Sequence, residues 1–217
     1  LLLLRYTGQA TIPIGMPISH RPQPELEHLV GFFLNTLVLR VQMHPPTMTG
    51  RELLGHVREV ALAAYAHQDL PFELLVEALQ PERSASYTPL FQAMFEFENA
   101  PVRQIELPNL TLSREWLPHG GAQTDLALLI EETPHELICQ WEYATDLFAP
   151  TTITRFAESY TTLLHALVAQ PDLPIRQLPI LTEAQKHKII HAWNNTARAY
   201  PTERGVHHLI DRQVQRT

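Results

Sequence analysis

A single cysteine, Cys139, is all the thiol chemistry this sequence holds. That excludes an internal disulfide and a cysteine metal cluster, and it suits a reducing cytoplasm. There is no basic run and no interleaving of basic with aromatic residues. With a formal net charge of -7, no nucleic-acid partner is expected. No apolar stretch approaches the roughly 20 residues that span a bilayer, so no membrane partner is expected either. Residues 1–4, all leucine, are too short for a signal peptide and lack a basic lead-in. Internal repeats and low-complexity tracts are absent. So is an initiating methionine: the chain opens on Leu1 and closes at Thr217 inside an apparent helix. The expectation is a piece of a larger protein.

What is present suffices for one sizeable core, or a core plus a linker: 217 residues, 45% apolar and 18% charged. Residues 29–40 (LVGFFLNTLVLR) organise the rest. As a strand, the run places Asn35 on one face with Leu37, Leu39 and Val41, and Leu34, Thr36, Val38 and Arg40 on the other. An amide among aliphatics needs partners, because burying it unpaired costs about 1–3 kcal/mol. Either backbone groups satisfy Asn35 or it faces a wet channel.

Before that run, residues 1–6 read as a helix end stopped at Gly8, 11–17 as a strand, and 24–28 as a helical turn. After it, Thr49-Gly50-Arg51-Glu52 has the form of a capping box, with Met48 and Leu53 placed as a hydrophobic staple. Leu53, Leu54, Val57, Val60, Ala61 and Tyr65 recur at helical spacing. Asp69 is placed to cap a second helix with the stripe Phe72, Leu75, Val76 and Leu79. Residues 90–98 read as a strand with Phe91, Ala93, Phe95 and Phe97 on a core face. Residues 110–117 read as another. Residues 125–133 and 136–143 form a strand pair around Pro134-His135 that puts Cys139 on an apolar face as an inert core thiol. A helix follows, with Ile153, Phe156, Tyr160, Leu163, Leu164, Leu167 and Val168 on one side. Residues 170–181, punctuated by Pro171, Pro174 and Pro179, read as a linker. Thr182 to Gln185 form a second capping box, and Asn194-Asn195-Thr196 end its helix.

Of the twelve histidines, His187 and His191 share a helix face. The zinc-protease pattern needs Glu after the first, and Lys188 stands there; solvated helix surface is expected, and no metal. His119-Gly120-Gly121 lacks the Lys-Ser/Thr of a phosphate loop. His67 and Asp69 could be drawn as a base and its orienter, but no nucleophile is near them in sequence. A helix-to-helix corner with both residues holding the backbone is the expected role.

The central run, preceded by His20-Arg21-Pro22 and Pro24-Glu25-Leu26-Glu27, resembles the GR…PELE.LIGFFVNTLVLR segment of nonribosomal peptide synthetase condensation domains. Residues 67–73 (HQDLPFE) resemble the family's HQDxPFE motif. Residues 81–90 (PERSASYTPL) are similar to its RDxSRxPLFQ element, departing at the second arginine, where Tyr87 stands or the residue is missing. Residues 143–148 (YATDLF) match YxTDLF. The tail, ILTEAQ…WNNTARAYP, resembles the linker and opening helix of a following adenylation domain.

The resemblance implies an α+β fold, a two-layer α/β sandwich: the chloramphenicol-acetyltransferase-like C-terminal subdomain of a condensation domain, with a mixed sheet packed on helices. It divides the chain into 1–169 (C-terminal subdomain, truncated at its start), 170–181 (linker) and 182–217 (linker helix and start of adenylation). The family joins carrier-bound aminoacyl and peptidyl thioesters through a new amide. Its HHxxxDG motif is absent; at His207-His208 the Asp slot holds Arg212, and Asp211 is one position early. The segment is therefore expected to supply one wall of the tunnel and no catalytic histidine. Asn35 is the accessory candidate. Gly31, Asn35 and Thr36 are expected to line the substrate channel, and Arg40, His67, Gln68, Asp69, Pro71 and Phe72 to be structural. No cofactor is expected to bind directly; phosphopantetheine is implied only as an arm on partner carrier proteins, upstream and downstream. The other implied partners are the N-terminal half of the domain and the adenylation domain. An epimerisation domain of the same fold, or a non-catalytic scaffold or docking module, is the alternative.

Overall fold

A computed structural model describes the chain except at residues 20, 22, 27, 44–46, 83, 85–86, 99–109, 111–116, 118–119, 199–204 and 217. The strand read over 110–117 lies almost wholly outside the described residues. The described chain forms two compact units, Leu1–Ile180 and Leu181–Thr217.

The first unit is α+β. A mixed five-stranded sheet has helices packed on it. In chain order come α1 (Leu2–Thr7), β1 (Thr11–Ser19), β2 (Leu34–Gln42), α2 (Gly50–Tyr65), α3 (Phe72–Leu79), β3 (Ala93–Glu98), β4 (Leu126–Glu132), β5 (Leu137–Tyr143) and α4 (Pro150–Ala169). The spatial order is β2-β1-β3-β4-β5. β1 pairs antiparallel with β2 along its whole length, from Thr11 opposite Gln42 to Ser19 opposite Leu34. β3 runs parallel to β4, and β4 antiparallel to β5. Between β1 and β3 only two positions pair: Ile14 with Ala93 and Gly15 with Met94. Pro13 and Pro17 bracket that junction. Neither has an N–H to give to a ladder, so pairing stops on both sides. Gly15 also accepts the Phe91 ring against its backbone: a Cβ there would lie 2.3 Å from Phe91 Cε2. Phe91 is 4% exposed.

β3 starts at Ala93, later than the pattern suggests, because Leu90 takes a left-handed turn at φ 69°. Both capping boxes form. Thr49 and Glu52 close the start of α2 reciprocally, and Met48 packs against the cluster containing Leu53. In the second unit Thr182 and Gln185 close α5 (Glu183–His187) in the same way. A π turn over Lys188–Ala192 follows, and Asn194 ends the helix by donating to the carbonyls of Ile189 and Ile190. A last helix, α6, spans Val206–Val214.

The core gathers Leu2, Leu4, Ile12, Val41, Met43, Leu53, Leu163 and Ala166 between the sheet and α1, α2 and α4. α4 buries Ile153, Phe156, Ser159, Leu163 and Ala166. That stripe is narrower than the sequence pattern, since Leu164 and Val168 stay exposed. The sequence suggests a short extended segment over residues 170–180; the structure instead forms turns at 171–172 and 175–177 around the prolines, and the segment does not hang free. Ile175 is 0% and Leu178 1% exposed. The segment's backbone is tied to the start of α2 by bonds from Gly50 N–H to Leu173 O, Arg51 N–H to Pro171 O and Ile175 N–H to Met48 O. The Arg5 guanidinium donates to Leu178 O at 2.7 Å. Cys139 is exposed on the edge strand β5, not in the core. It shares a face with Trp141, but the first three residues of β5 all lie open to solvent, and packing begins only beyond them.

Candidate functional site

Asn35 stands at the second position of β2, on the buried face with Leu37, Leu39 and Val41. Its side chain points into the corner between α2 and α3. Nδ2 donates to the carbonyls of Gln68 and Leu70, both at 2.9 Å. Oδ1 accepts from the N–H of Thr36 at 2.8 Å and of Phe72 at 3.1 Å. Two donors face two carbonyls and one oxygen faces two N–H groups, which fixes the orientation of the amide. All four of its hydrogen-bonding positions are used.

Phe72 is the first residue of α3, and its N–H has no partner within the helix. Pro71 occupies the cap position and makes no side-chain cap bond. The cap therefore comes from a strand, 37 residues upstream. The expectation that Asp69 caps this helix is corrected accordingly; Asp69 is exposed and lies two residues before the cap position. His67 is exposed as well, and its contribution to the turn is backbone: its N–H donates to Ala64 O and its carbonyl accepts from Leu70 N–H. Asn35 ties this corner to the sheet through its side chain.

Beside the corner lies an open cleft of about 1500 Å³, counting its mouth. Asn35 and Thr36 line it, as do Asp69, Pro71 and Phe72 from the corner. Phe32 and Phe33 form its aromatic lip, and Met94 and Glu96 of β3 face them. Gly31 is not in the wall; it lies under Phe33, where a Cβ would come within 3.0 Å of Phe33 Cε2. Arg40 is exposed further along β2, opposite Pro13. The Phe72 ring leans on Phe91, centroids 5.6 Å apart.

The sequence pattern missed Phe32, Phe33, Glu96 and Gln123 as cleft residues. Alternation along β3 could have found Glu96, since Met94 and Glu96 oppose the Phe95 face. Nothing local marks Gln123. Desolvation at the cleft wall, aided by the charge of Glu98, raises the Glu96 carboxyl above the usual glutamate range. On the helix side of the sheet, burial and the neighbouring Cys139 push the Tyr160 phenol up to about 12; its ring meets Trp141 edge-on, centroids 5.7 Å apart.

Among the described residues no three of His, Cys, Asp and Glu cluster as metal ligands would, and no helix is long and apolar enough to cross a membrane. In the second unit the rings of His187 and His191 lie 4.8 Å apart, and those of His207 and His208 4.1 Å apart, all exposed.

The fold has known counterparts. A linear gramicidin synthase polypeptide of Brevibacillus parabrevis is 44% identical over 219 residues, covering 99% of this chain and 4% of that protein. The chain is thus a small fraction of its relatives' length. A four-domain nonribosomal peptide synthetase bound to AMP and glycine superposes with a TM-score of 0.84 at 23% identity, over 99% of this chain and 17% of that one. The X-domain from teicoplanin biosynthesis, in its complex with OxyB, superposes with a TM-score of 0.72 at 27% identity, over 84% and 40%. The sequence model described as the condensation domain matches residues 1–190, and the chain belongs to that family.

Proposed function

We infer that this chain is the C-terminal part of a condensation domain in a nonribosomal peptide synthetase, and that the intact domain joins carrier-bound aminoacyl and peptidyl thioesters through an amide bond. The observation that carries this is the lock between Asn35 and the 68–72 corner on the wall of an open cleft. Amide formation needs an amine held against a thioester carbonyl in a fixed geometry, and positioning alone supplies several kcal/mol of the barrier. A wall whose corner is tied to the sheet by three hydrogen bonds from one side chain meets that need.

In this function Asn35 acts on the wall rather than on the substrate. Its amide has no hydrogen-bonding position left for a thioester or pantetheine carbonyl. Thr36 and the aromatic lip face the substrate instead. The chain contains no HHxxxDG, so proton handling belongs to the N-terminal half of the domain. The phosphopantetheine arm enters as part of the substrate, on partner carrier proteins, and residues 182–217 lead towards an adenylation domain.

The test is Asn35→Ala in the intact domain, assayed for condensation of carrier-bound thioesters. Turnover falls by up to about 10²-fold, the scale of a misplaced reacting group. Unchanged turnover rejects the role. A second reading, a docking module, has one observation in its favour: the similar X-domain occurs in complex with OxyB. It predicts partner binding without amide formation by the same intact domain.

A further inference from the structure

The loop between β1 and β2 carries the aromatic lip, and one side chain holds it in shape. Arg21 donates from Nη1 to the carbonyls of Leu26 and Leu29, the latter at 2.9 Å. Its guanidinium carbon sits 4.1 Å from the centroid of the Phe33 ring. Phe33 also lies close to Gly31, where a Cβ would come within 3.0 Å of Phe33 Cε2. The ring is thus in contact with a cation and near a bare backbone, and Phe33 lines the cleft beside Asn35. Neighbouring Phe32, 86% exposed, has no such support of its own. Within the loop the backbone contributes Arg21 N–H to Ser19 O, Leu26 N–H to Gln23 O and Leu29 N–H to Leu26 O. Among the described residues those bonds shape its first part and do not reach residues 30–33. The Arg21 side chain connects the loop's turn to the lip.

We propose that Arg21 is a positioning residue for substrate binding: it clamps Phe33 to the loop's turn and thereby sets the aromatic lip against which the acyl side chain of a carrier-bound thioester rests. This rests on the condensation reading above. A planar cation suits the task. It donates two hydrogen bonds in its own plane while its face covers the ring. A lysine can offer charge and donors without the plane, so it restores the clamp in part.

The experiment uses the intact synthetase module with Arg21→Met and Arg21→Lys. Three quantities are read: amide hydrogen exchange over residues 28–33, thermal unfolding, and the KM and kcat of condensation. In Arg21→Met, exchange in the loop rises roughly tenfold with unfolding unchanged, and KM for the thioester rises roughly tenfold with kcat held within about twofold. Arg21→Lys falls between the two. Parental loop exchange in Arg21→Met overturns the clamp. Raised exchange with an unchanged KM overturns the positioning role. A melting point lowered in step with activity makes Arg21 a fold residue and overturns both. A parent module that forms no amide bond refutes the condensation reading instead, and the exchange measurement still decides the clamp.

Discussion

Asn35 bonds to residues 33, 35 and 37 places along the chain. That reach explains why the sequence left its role open. The spacing showed an amide on an aliphatic face, and physics demanded partners for it. Nothing local named the partners as Gln68, Leu70 and Phe72. The geometry distinguishes its substitutions. Asp in place of Asn35 keeps an acceptor for the N–H groups of Thr36 and Phe72 but turns a carboxylate oxygen towards two carbonyls. Asn35→Asp therefore destabilises the unit more than Asn35→Ala, whose cost is about 1–3 kcal/mol. Denaturant unfolding of both variants decides this, and equal midpoints reject it. Glu96 gives a prediction in pH. Its folded carboxyl holds a proton more tightly than the unfolded one. Stability therefore falls as pH rises from the ordinary glutamate range through the raised folded value. Glu96→Gln lacks that loss: it is more stable than the parent at neutral pH, and the gap closes on acidification. Parallel pH–stability curves for the two proteins contradict the assignment.

Elements whose signals are local were legible. The boxes at Thr49 and Thr182 and the β4–β5 pair needed only neighbours in sequence. The β2 run was legible too, because alternation is a property of the run itself. Its start was not: residues 29–33 are apolar enough to extend the strand, yet they serve the loop and the lip. The parallel pairing of β3 with β4 has no sequence mark, since no local pattern names a strand's partner. The segment 170–180 is the clearest case of a hidden role. Its prolines spoil any period, so Ile175 and Leu178 looked like linker residues, while both are buried in the main core with Leu2, Leu53 and Leu163. Leu178→Ala is expected to cost about 2–5 kcal/mol, as in a well-packed core, and a urea titration reads it; a loss near zero means the segment is dispensable. The Arg51–Asp172 pair on the same segment is exposed on both sides, and surface pairs of this kind contribute little.

At the scale of the whole molecule, the first unit leaves much apolar surface uncovered. Leu29, Val30, Phe32 and Leu34 are exposed around the lip, and Leu54, Leu62, Leu74 and Leu79 along α2 and α3. Among the described residues no further strand lies beside the two sheet edges, β2 and β5. Patches of this kind mark surfaces that meet another body of protein. The chain on its own is therefore expected to self-associate or to melt broadly, as seen by light scattering and calorimetry. A sharp cooperative melt of a monomer contradicts that.

The sheet is two ribbons, β2-β1 and β3-β4-β5, stitched at Ile14 and Gly15 alone. Pro17 belongs to one ribbon, and Met94 and Glu96 to the other. The cleft's opposing walls are accordingly joined in the sheet by a short seam beside the contact of Gly15 with Phe91, and neither of those residues lines the cleft. A methyl group added at Gly15 would lie 2.3 Å from the Phe91 ring, so the seam must adjust while every residue facing the cleft stays the same.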